Sequence, residues 1–187
     1  MTPSAALSAT ELRHLLTTLG ARLAERGVAG HVLLVGGAAM SLGHGGRRTT
    51  RDVDARFEPV AAIREAAQEI AREQGLREDW LNSAAVAFMP PVDPGDGRVI
   101  LKVPGLIAEV ASARVLLAMK LAAFRATDIP DLMILFEELG IEYPDQAVAI
   151  TRQLYGEHAV VIRDDEDSDL RTRAEEVLDR LQQQRRR

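Results

Sequence analysis

The chain has 187 residues, 47% of them hydrophobic and 27% charged, which fits one ordinary globular domain with room for a small appended helical piece. It contains no cysteine, which excludes disulfide frameworks, zinc–thiolate sites, iron–sulfur clusters and thiol catalysis. Its 23 basic and 28 acidic side chains give a formal net charge of −5, which argues against coating nucleic acid by bulk charge. The sequence has no apolar stretch that could span a bilayer and no visible signal peptide, so we expect a cytoplasmic protein without a membrane partner.

The first half of the sequence alternates helical and strand-like stretches. Ser8 and Glu11 have the spacing of a capping box, and leucines follow at helical intervals, so a helix is predicted to begin there. Short apolar runs bounded by glycine or proline predict buried strands. In chain order, we predict a helix from Ser8 to Gly27, a strand over 31–35, a short helix over 38–42, a strand over 49–57 and an amphipathic helix whose apolar face runs from Val60 to Ala71.

The second half begins with a predicted hairpin and continues as helices. Residues 86–89 and 98–103 flank a loop with Pro-Gly and Asp-Gly pairs, so these two stretches are predicted to pair with each other. The acidic run 164–169 is interpreted as a solvated linker or the start of a helix, because it lacks the glycine of a calcium-binding loop. The remaining predicted elements are a strand over 106–110 and helices over 112–125, 129–139, 145–155 and from 170 onward.

These elements together predict an α/β protein. A small mixed sheet flanked by helices is expected in residues 1–111. A helical C-terminal part, residues 112–187, is expected to pack on it. The sequence shows no internal repeat and no low-complexity linker, so we expect one compact unit.

The most informative stretch joins a glycine pair to two aspartates. On a strand, Asp52 and Asp54 would project from the same face while Val53 points into the core. Two adjacent carboxylates repel unless a cation lies between them, and Mg²⁺ favours such oxygen ligands together with phosphates, although a solvated sheet edge would also accommodate them. Gly36 and Gly37 follow a buried strand and precede a helix, where backbone N–H groups can hold a phosphate; a tight turn alone would also explain them.

These residues resemble the nucleotidyltransferase fold shared with DNA polymerase β. More narrowly, the region from about residue 30 to residue 140 resembles the AbiEii/MenT-like bacterial nucleotidyltransferases, many of which are toxins of toxin–antitoxin pairs. One departure is Gly37, where many of these toxins carry serine. The resemblance depends on Gly36-Gly37, the Thr-x-Asp-x-Asp stretch ending at Asp54, and a helical lysine with an Arg-x-x-Asp-x-x-Asp pattern, here Lys120, Arg125, Asp128 and Asp131.

The resemblance implies Mg²⁺- or Mn²⁺-dependent transfer of a nucleoside monophosphate from an NTP, with a tRNA 3′ end as acceptor and an antitoxin protein as partner. It implies metal binding by Asp52, Asp54 and Glu109, nucleotide contacts from Gly36, Gly37, Arg48, Thr50, Arg51 and Lys120, and catalytic roles for Asp52, Asp54, Lys120, Asp128 and Asp131. The alternative is a catalytically inactive nucleotide-binding or protein-interaction module with the same fold.

The lysine motif has simpler interpretations that stay open at this point. Lys120 lies in an otherwise apolar segment, so it either extends to the surface or is held for an anion such as a triphosphate. Asp128 is placed where it could cap the helix over 129–139, and Asp131 falls in the first turn of that helix, where a carboxylate is favourable. The functional interpretation is that one of the two aspartates pairs with Lys120 or Arg125 and orients it.

Overall fold

The structure is a computed structural model that describes residues 6–46, 49–92, 96–156 and 167–186. The chain divides into two compact units. The first comprises Met1–Ala87 and Gly97–Ala111, and the second comprises Phe88–Asp96 and Ser112–Arg187. None of the helices in the described ranges is both long and apolar enough to cross a membrane.

The first unit is built on a five-stranded mixed sheet. Its elements, in chain order, are α1 (Ala9–Glu25), β1 (Gly30–Leu34), α2 (Gly36–Gly43), β2 (Val53–Glu58), α3 (Val60–Gln74), β3 (Leu81–Asn82), a 3₁₀ helix (Ala84–Phe88), β4 (Gly97–Val103) and β5 (Leu106–Ala111). The strand order in the sheet is β3-β2-β1-β5-β4. Strand β1 runs antiparallel to β2 and parallel to β5, while β3 is parallel to β2 and β4 antiparallel to β5. This arrangement confirms the predicted α/β class.

Most buried strand residues of the first unit lie on one face of this sheet, although Leu33 is buried on the other face. Strand β2 shows the expected period of two, because Val53, Ala55 and Phe57 are buried and the residues between them are not. Helix α1 packs against β5 and helix α3 against β2. Trp80, which is fully buried, fastens the start of β3 to α3 by donating its indole N–H to the carbonyl oxygen of Ala67 at 2.9 Å. The opposite face of β2 is therefore left for polar side chains.

The sequence predicts the wrong partner for the hairpin strand β4. Residues 84–88 form a 3₁₀ helix rather than a strand, and β4 pairs with β5 instead. The connection is the short turn at Pro104 and Gly105, whose positive φ of 76° suits glycine. The proline- and glycine-rich run 90–97 is therefore a connection between elements. Strand β3, with only two residues, has no sequence pattern of its own.

Two further sequence expectations in the first unit need correction. The strand predicted over 49–57 begins only at Val53, because Thr50 forms an isolated bridge with Leu7 and a bend follows it. Val60, predicted to face the core, is 45% exposed at the first position of α3. The apolar face of that helix begins one turn later, at Ile63.

The described residues of the second unit form four helices. Ser112 caps the first of them through its Oγ, which accepts a hydrogen bond from Val115 N at 3.4 Å, and Gly140, in the left-handed region, ends the next. Of the acidic run, 164–166 lie outside the described residues and 167–169 open the last helix. The helices are α4 (Ala113–Ala123), α5 (Ile129–Leu139), α6 (Pro144–Tyr155) and α7 (Asp167–Arg185).

Candidate functional site

A glycine turn connects β1 to α2 beside Asp54. Val35 N donates to the carbonyl oxygen of Asp54 at 2.9 Å, which holds the end of β1 against β2. Gly36, the first residue of α2, has φ +60°, and a Cβ placed on it would lie 3.3 Å from Oδ2 of Asp54. The helix N-terminus is therefore within reach of a carboxylate, and only glycine suits both the backbone conformation and the close approach.

The neighbouring Gly37 faces Thr50. A Cβ on Gly37 would lie 3.0 Å from Oγ1 and 3.4 Å from Cβ of Thr50, so the threonine occupies the space that a side chain at position 37 would need. Thr50 is fixed on both sides: it exchanges backbone hydrogen bonds with Leu7, and its hydroxyl donates to the carbonyl oxygen of Asp52 at 2.9 Å. This contact explains physically why glycine stands at position 37 in this chain.

The two aspartates lie at the start of β2. Asp52 immediately precedes the strand and Asp54 is its second residue; both are half-buried, whereas Val53 and Ala55 are fully buried. In register, Asp54 lies opposite Asn82 of the edge strand β3. The structure thus brings Gly36, Asp54 and their immediate neighbours together at one end of the sheet.

An arginine that the sequence analysis missed lies near this pair. Arg77 donates from Nε and Nη2 to the two carboxylate oxygens of Asp79 at 2.8 and 2.7 Å. The hydrogen bond to Asp79 raises the pKa of Arg77, and the charges of Asp79 and, more weakly, Asp52 raise it further. The Arg-x-Asp spacing was the available signal, but its proximity to Asp52 depends on strand β3, which the sequence did not predict.

The other predicted contacts of the first unit are Arg48, Arg51 and Glu109. Arg48 lies outside the described residues, and Arg51 is exposed in the bend before β2. Glu109 lies on the same face of the sheet as Asp54, since Leu33 is in register with both Glu109 and Arg56. The Glu109 carboxylate is hydrogen-bonded to His31 Nε2 at 2.9 Å. Within the described ranges, no group of three or more His, Asp or Glu side chains is arranged to hold a metal ion, so a third ligand at Glu109 stays a prediction.

The second unit contains a buried ionic cluster around Lys120. Its Nζ lies 2.8 Å from Oδ1 of Asp128 and 2.9 Å from Oδ2 of Asp131, and all three residues are less than 10% exposed. The structure therefore brings both aspartates to Lys120, where the sequence predicted one. The interpretation of Lys120 as a lysine extending to the surface is wrong. Two carboxylates and one ammonium give the cluster a formal charge of −1.

Asp128 is at the N-cap position of α5, but its side chain does not cap that helix. Its Oδ2 accepts instead from the backbone N–H of Arg125 at 3.1 Å, while its Oδ1 accepts from Lys120. The simple capping interpretation of Asp128 is therefore wrong. Arg125 contributes its backbone to the cluster, and as a whole residue it is exposed.

Comparison of the chain with protein-family models, with curated proteins and with solved structures gave no match. The resemblance described above therefore stays an expectation.

Proposed function

We propose that the protein is a metal-dependent nucleotidyltransferase that transfers a nucleoside monophosphate from an NTP to an acceptor. One observation carries the proposal: the positive-φ Gly36 opens α2 so close to Asp54 that a Cβ at position 36 would lie 3.3 Å from Oδ2 of that carboxylate. A helix N-terminus attracts phosphate through its N–H groups and dipole, and a carboxylate next to it would repel phosphate unless a cation accompanied the ligand. A metal-bound nucleoside triphosphate satisfies both conditions.

The donors at the start of β2 fit Mg²⁺ or Mn²⁺. Asp52 and Asp54 are half-buried, so solvent reaches them, and carboxylate oxygens are the ligands such ions prefer. One or two protein carboxylates are enough when substrate phosphates and water supply the other ligands. When bound, the ion would offset charge on the triphosphate and favour ionisation of the attacking hydroxyl.

The chain's own residues would bind and orient the nucleotide. The first-turn N–H groups of α2, at Gly36 and Gly37, would donate to phosphate oxygens, and Thr50 would hold Gly37 and the backbone of Asp52 in place through its contacts. Arg51, exposed just before the strand, would attract the negative charge that develops on the pyrophosphate.

The assignment of Lys120, Asp128 and Asp131 to the same reaction rests on the resemblance. The cluster already carries a formal charge of −1, so a triphosphate that contacts Lys120 would have to bring its cation with it. An acceptor at the 3′ end of a tRNA and an antitoxin partner are likewise proposals that the resemblance supports.

The experiment compares Asp52→Asn and Asp54→Asn with the matched control Glu58→Gln, an exposed carboxylate on the same face of β2 at its other end. We expect each aspartate variant to lose ~100-fold or more in Mg²⁺-dependent NTP binding or turnover, since even indirect metal contacts are worth 10–100-fold. Glu58→Gln should behave like wild type. Circular dichroism checks that all three variants fold, and wild-type turnover in both aspartate variants would refute the metal assignment.

A further inference from the structure

We infer that Arg173 of α7 is a positioning residue that holds Lys120 and Asp128 in their relative geometry. This inference rests on the role proposed above for Lys120 in nucleotidyl transfer. Arg173 touches neither side chain. It acts on the segment between them, which leaves α4 at Phe124 and reaches Asp128 four residues later.

The first contact is with the end of α4. The last carbonyl groups of a helix lack partners within the helix, and α4 ends at Ala123. Nη1 of Arg173 donates to the carbonyl oxygens of Leu121 and Ala122 at 3.2 and 2.8 Å. A guanidinium at this position also complements the negative end of the helix dipole. Arg173 therefore closes the C-terminus of the helix that carries Lys120 in its last turn.

The second contact is with the residue that turns the chain. Phe124 has φ 41° and ψ 49°, the left-handed conformation that residues other than glycine rarely adopt. The guanidinium carbon of Arg173 lies 5.8 Å from the centroid of the Phe124 ring, within the range of a cation–π interaction. The same arginine thus contacts both the helix end and the strained residue that follows it.

The turn beyond Phe124 delivers Asp128 to Lys120. Phe124 N donates to the carbonyl oxygen of Lys120 at 2.8 Å, and Arg125 N donates to Oδ2 of Asp128 at 3.1 Å. The other carboxylate oxygen of Asp128 accepts from Lys120 at 2.8 Å. Because the turn is closed at both ends through these bonds, loss of the contacts that fix Phe124 is expected to loosen Asp128 from Lys120.

Arg173 differs in this respect from other arginines of its helix. Arg171, two residues earlier, is 51% exposed and pairs with the carboxylates of Asp145 and Glu175. Arg180 likewise pairs with Glu176 on the surface. Arg171→Met is therefore a matched control: it removes a guanidinium from the same helix without touching the α4 terminus.

The experiment measures the accessibility of Lys120 to an amine-acetylating reagent. The chain has two lysines, Lys102 and Lys120, and Lys102 is exposed, so its rate of modification is an internal reference in the same molecule. Peptide mass spectrometry gives the ratio of the two rates. We expect Arg173→Met to raise the Lys120/Lys102 ratio ~10-fold, Arg171→Met to leave it unchanged, and Arg173→Lys, which keeps a charged donor, to give an intermediate value.

Amide hydrogen exchange distinguishes this effect from detachment of α7. The inference requires faster exchange of the Arg125 amide in Arg173→Met while the amides of α6 and α7 keep their protection. An unchanged lysine ratio in Arg173→Met, or an equal increase in Arg171→Met, would overturn it, as would exchange that rises throughout α7. If Arg173→Met does not fold, the Lys120/Lys102 ratio of Arg173→Lys tests the inference instead.

The labelling needs no nucleotide, so it is independent of the proposed activity. If wild-type protein transfers no nucleotide but the Lys120/Lys102 ratio rises in Arg173→Met as expected, the proposed function is wrong. The positioning of Lys120 by Arg173 is then still supported. Where transfer does occur, turnover should fall ~10-fold in Arg173→Met and remain at the wild-type level in Arg171→Met.

Discussion

At the scale of single residues, Gly36 has two separable properties. Its backbone occupies the left-handed region, and its missing side chain leaves space for Oδ2 of Asp54 at 3.3 Å from the Cβ position. Gly75 at the end of α3 has nearly the same conformation, with φ +66°, but nothing lies within 4 Å of its Cβ position. Comparison of Gly36 with Gly75 therefore separates the effect of backbone strain from that of crowding the Asp54 carboxylate.

We predict that Gly36→Ala and Gly75→Ala each lower the free energy of unfolding by about 1–2 kcal/mol, the usual cost of the left-handed conformation for an L-residue. Only Gly36→Ala should also weaken Mg²⁺-dependent NTP binding, because only there does the methyl group reach Asp54. Denaturant unfolding and calorimetric titration measure the two effects. Equal NTP affinity in both variants would argue against a ligand at the glycine turn.

Lys120 illustrates the energetics of a buried charge. Its side chain is 10% exposed, and those of Asp128 and Asp131 are 12% and 7% exposed, so removal of the ammonium leaves two buried carboxylates without their common partner. We predict that Lys120→Met destabilises the protein by about 3–5 kcal/mol, the cost of breaking a buried ion pair. A merely packed aliphatic stem would tolerate the change, since methionine keeps its shape.

The matched control for this prediction is Lys120→Met combined with Asp128→Asn and Asp131→Asn. Neutral amides no longer repel each other, so part of the lost stability should return in the triple variant. Urea unfolding of wild type, single and triple variants measures this. A Lys120→Met variant as stable as wild type would show that the ion pairs contribute nothing to stability.

At the scale of elements, local signals in the sequence determined most helices. The bounds predicted for α5, 129–139, agree with the structure because Gly140 ends the helix within the local sequence. The sequence predicts the wrong partner for β4. The choice of partner depends on which strand reaches the sheet, and the Pro-Gly and Asp-Gly turn signals in 90–97 do not encode that choice.

The candidate site likewise has features that the local sequence predicts and features that depend on the fold. The position of Asp54 on the polar face of β2 could be predicted because a strand period relates residues that are close in sequence, whereas Asp52, expected on the same strand, lies in the bend before it. The approach of Thr50 to Gly37, the pairing of Glu109 with His31 and the place of Arg77 near Asp52 could not, because each depends on strand register or on an unpredicted edge strand. Residues far apart in sequence meet only through the fold.

The capping box of α1 gives a prediction about pH. Ser8 N donates to Glu11 Oε2 at 2.7 Å, and Glu11 N donates to Ser8 Oγ at 3.3 Å. The hydrogen bond that the Ser8 hydroxyl donates to Glu11 Oε2 at 2.6 Å, and after it the one from Ser8 N, lower the pKa of Glu11 below its ordinary value of 4.5. A lowered pKa in the folded state means that this stabilisation is present above pH 4.5 and is lost as pH falls through the folded value.

We therefore predict that Ser8→Ala lowers the melting temperature at neutral pH, and that the difference from wild type shrinks as the pH falls below 4.5. Thr10→Ala, an exposed neighbour in the same turn, is the control and should show no such pH dependence. Thermal melts followed by circular dichroism over this range provide the measurement. A difference that stays constant with pH would contradict the link to Glu11.

At the scale of the whole molecule, charge constrains the acceptor. A formal net charge of −5 gives no general attraction for RNA, so an RNA acceptor would have to be held by local basic side chains such as the exposed Arg51. Contacts of this kind release counterions, and their strength falls as salt rises. A protein hydroxyl as acceptor would carry no comparable dependence, so the response to salt separates the two classes of acceptor.

The labelled product of the reaction identifies the acceptor. Purified protein is incubated with Mg²⁺ and each of the four α-labelled NTPs, with total bacterial tRNA or with protein alone. We expect label to move to an RNA 3′ end with release of pyrophosphate, and this transfer should disappear without a divalent ion, because Asp52 and Asp54 then repel the triphosphate. Transfer to RNA should weaken between ~50 and 200 mM salt.

Label on protein hydroxyls would keep the nucleotidyltransferase proposal and replace the RNA acceptor. Saturable NTP binding without any transfer would instead identify an inactive nucleotide-binding module, and absence of binding as well would leave the α/β fold without a nucleotide ligand.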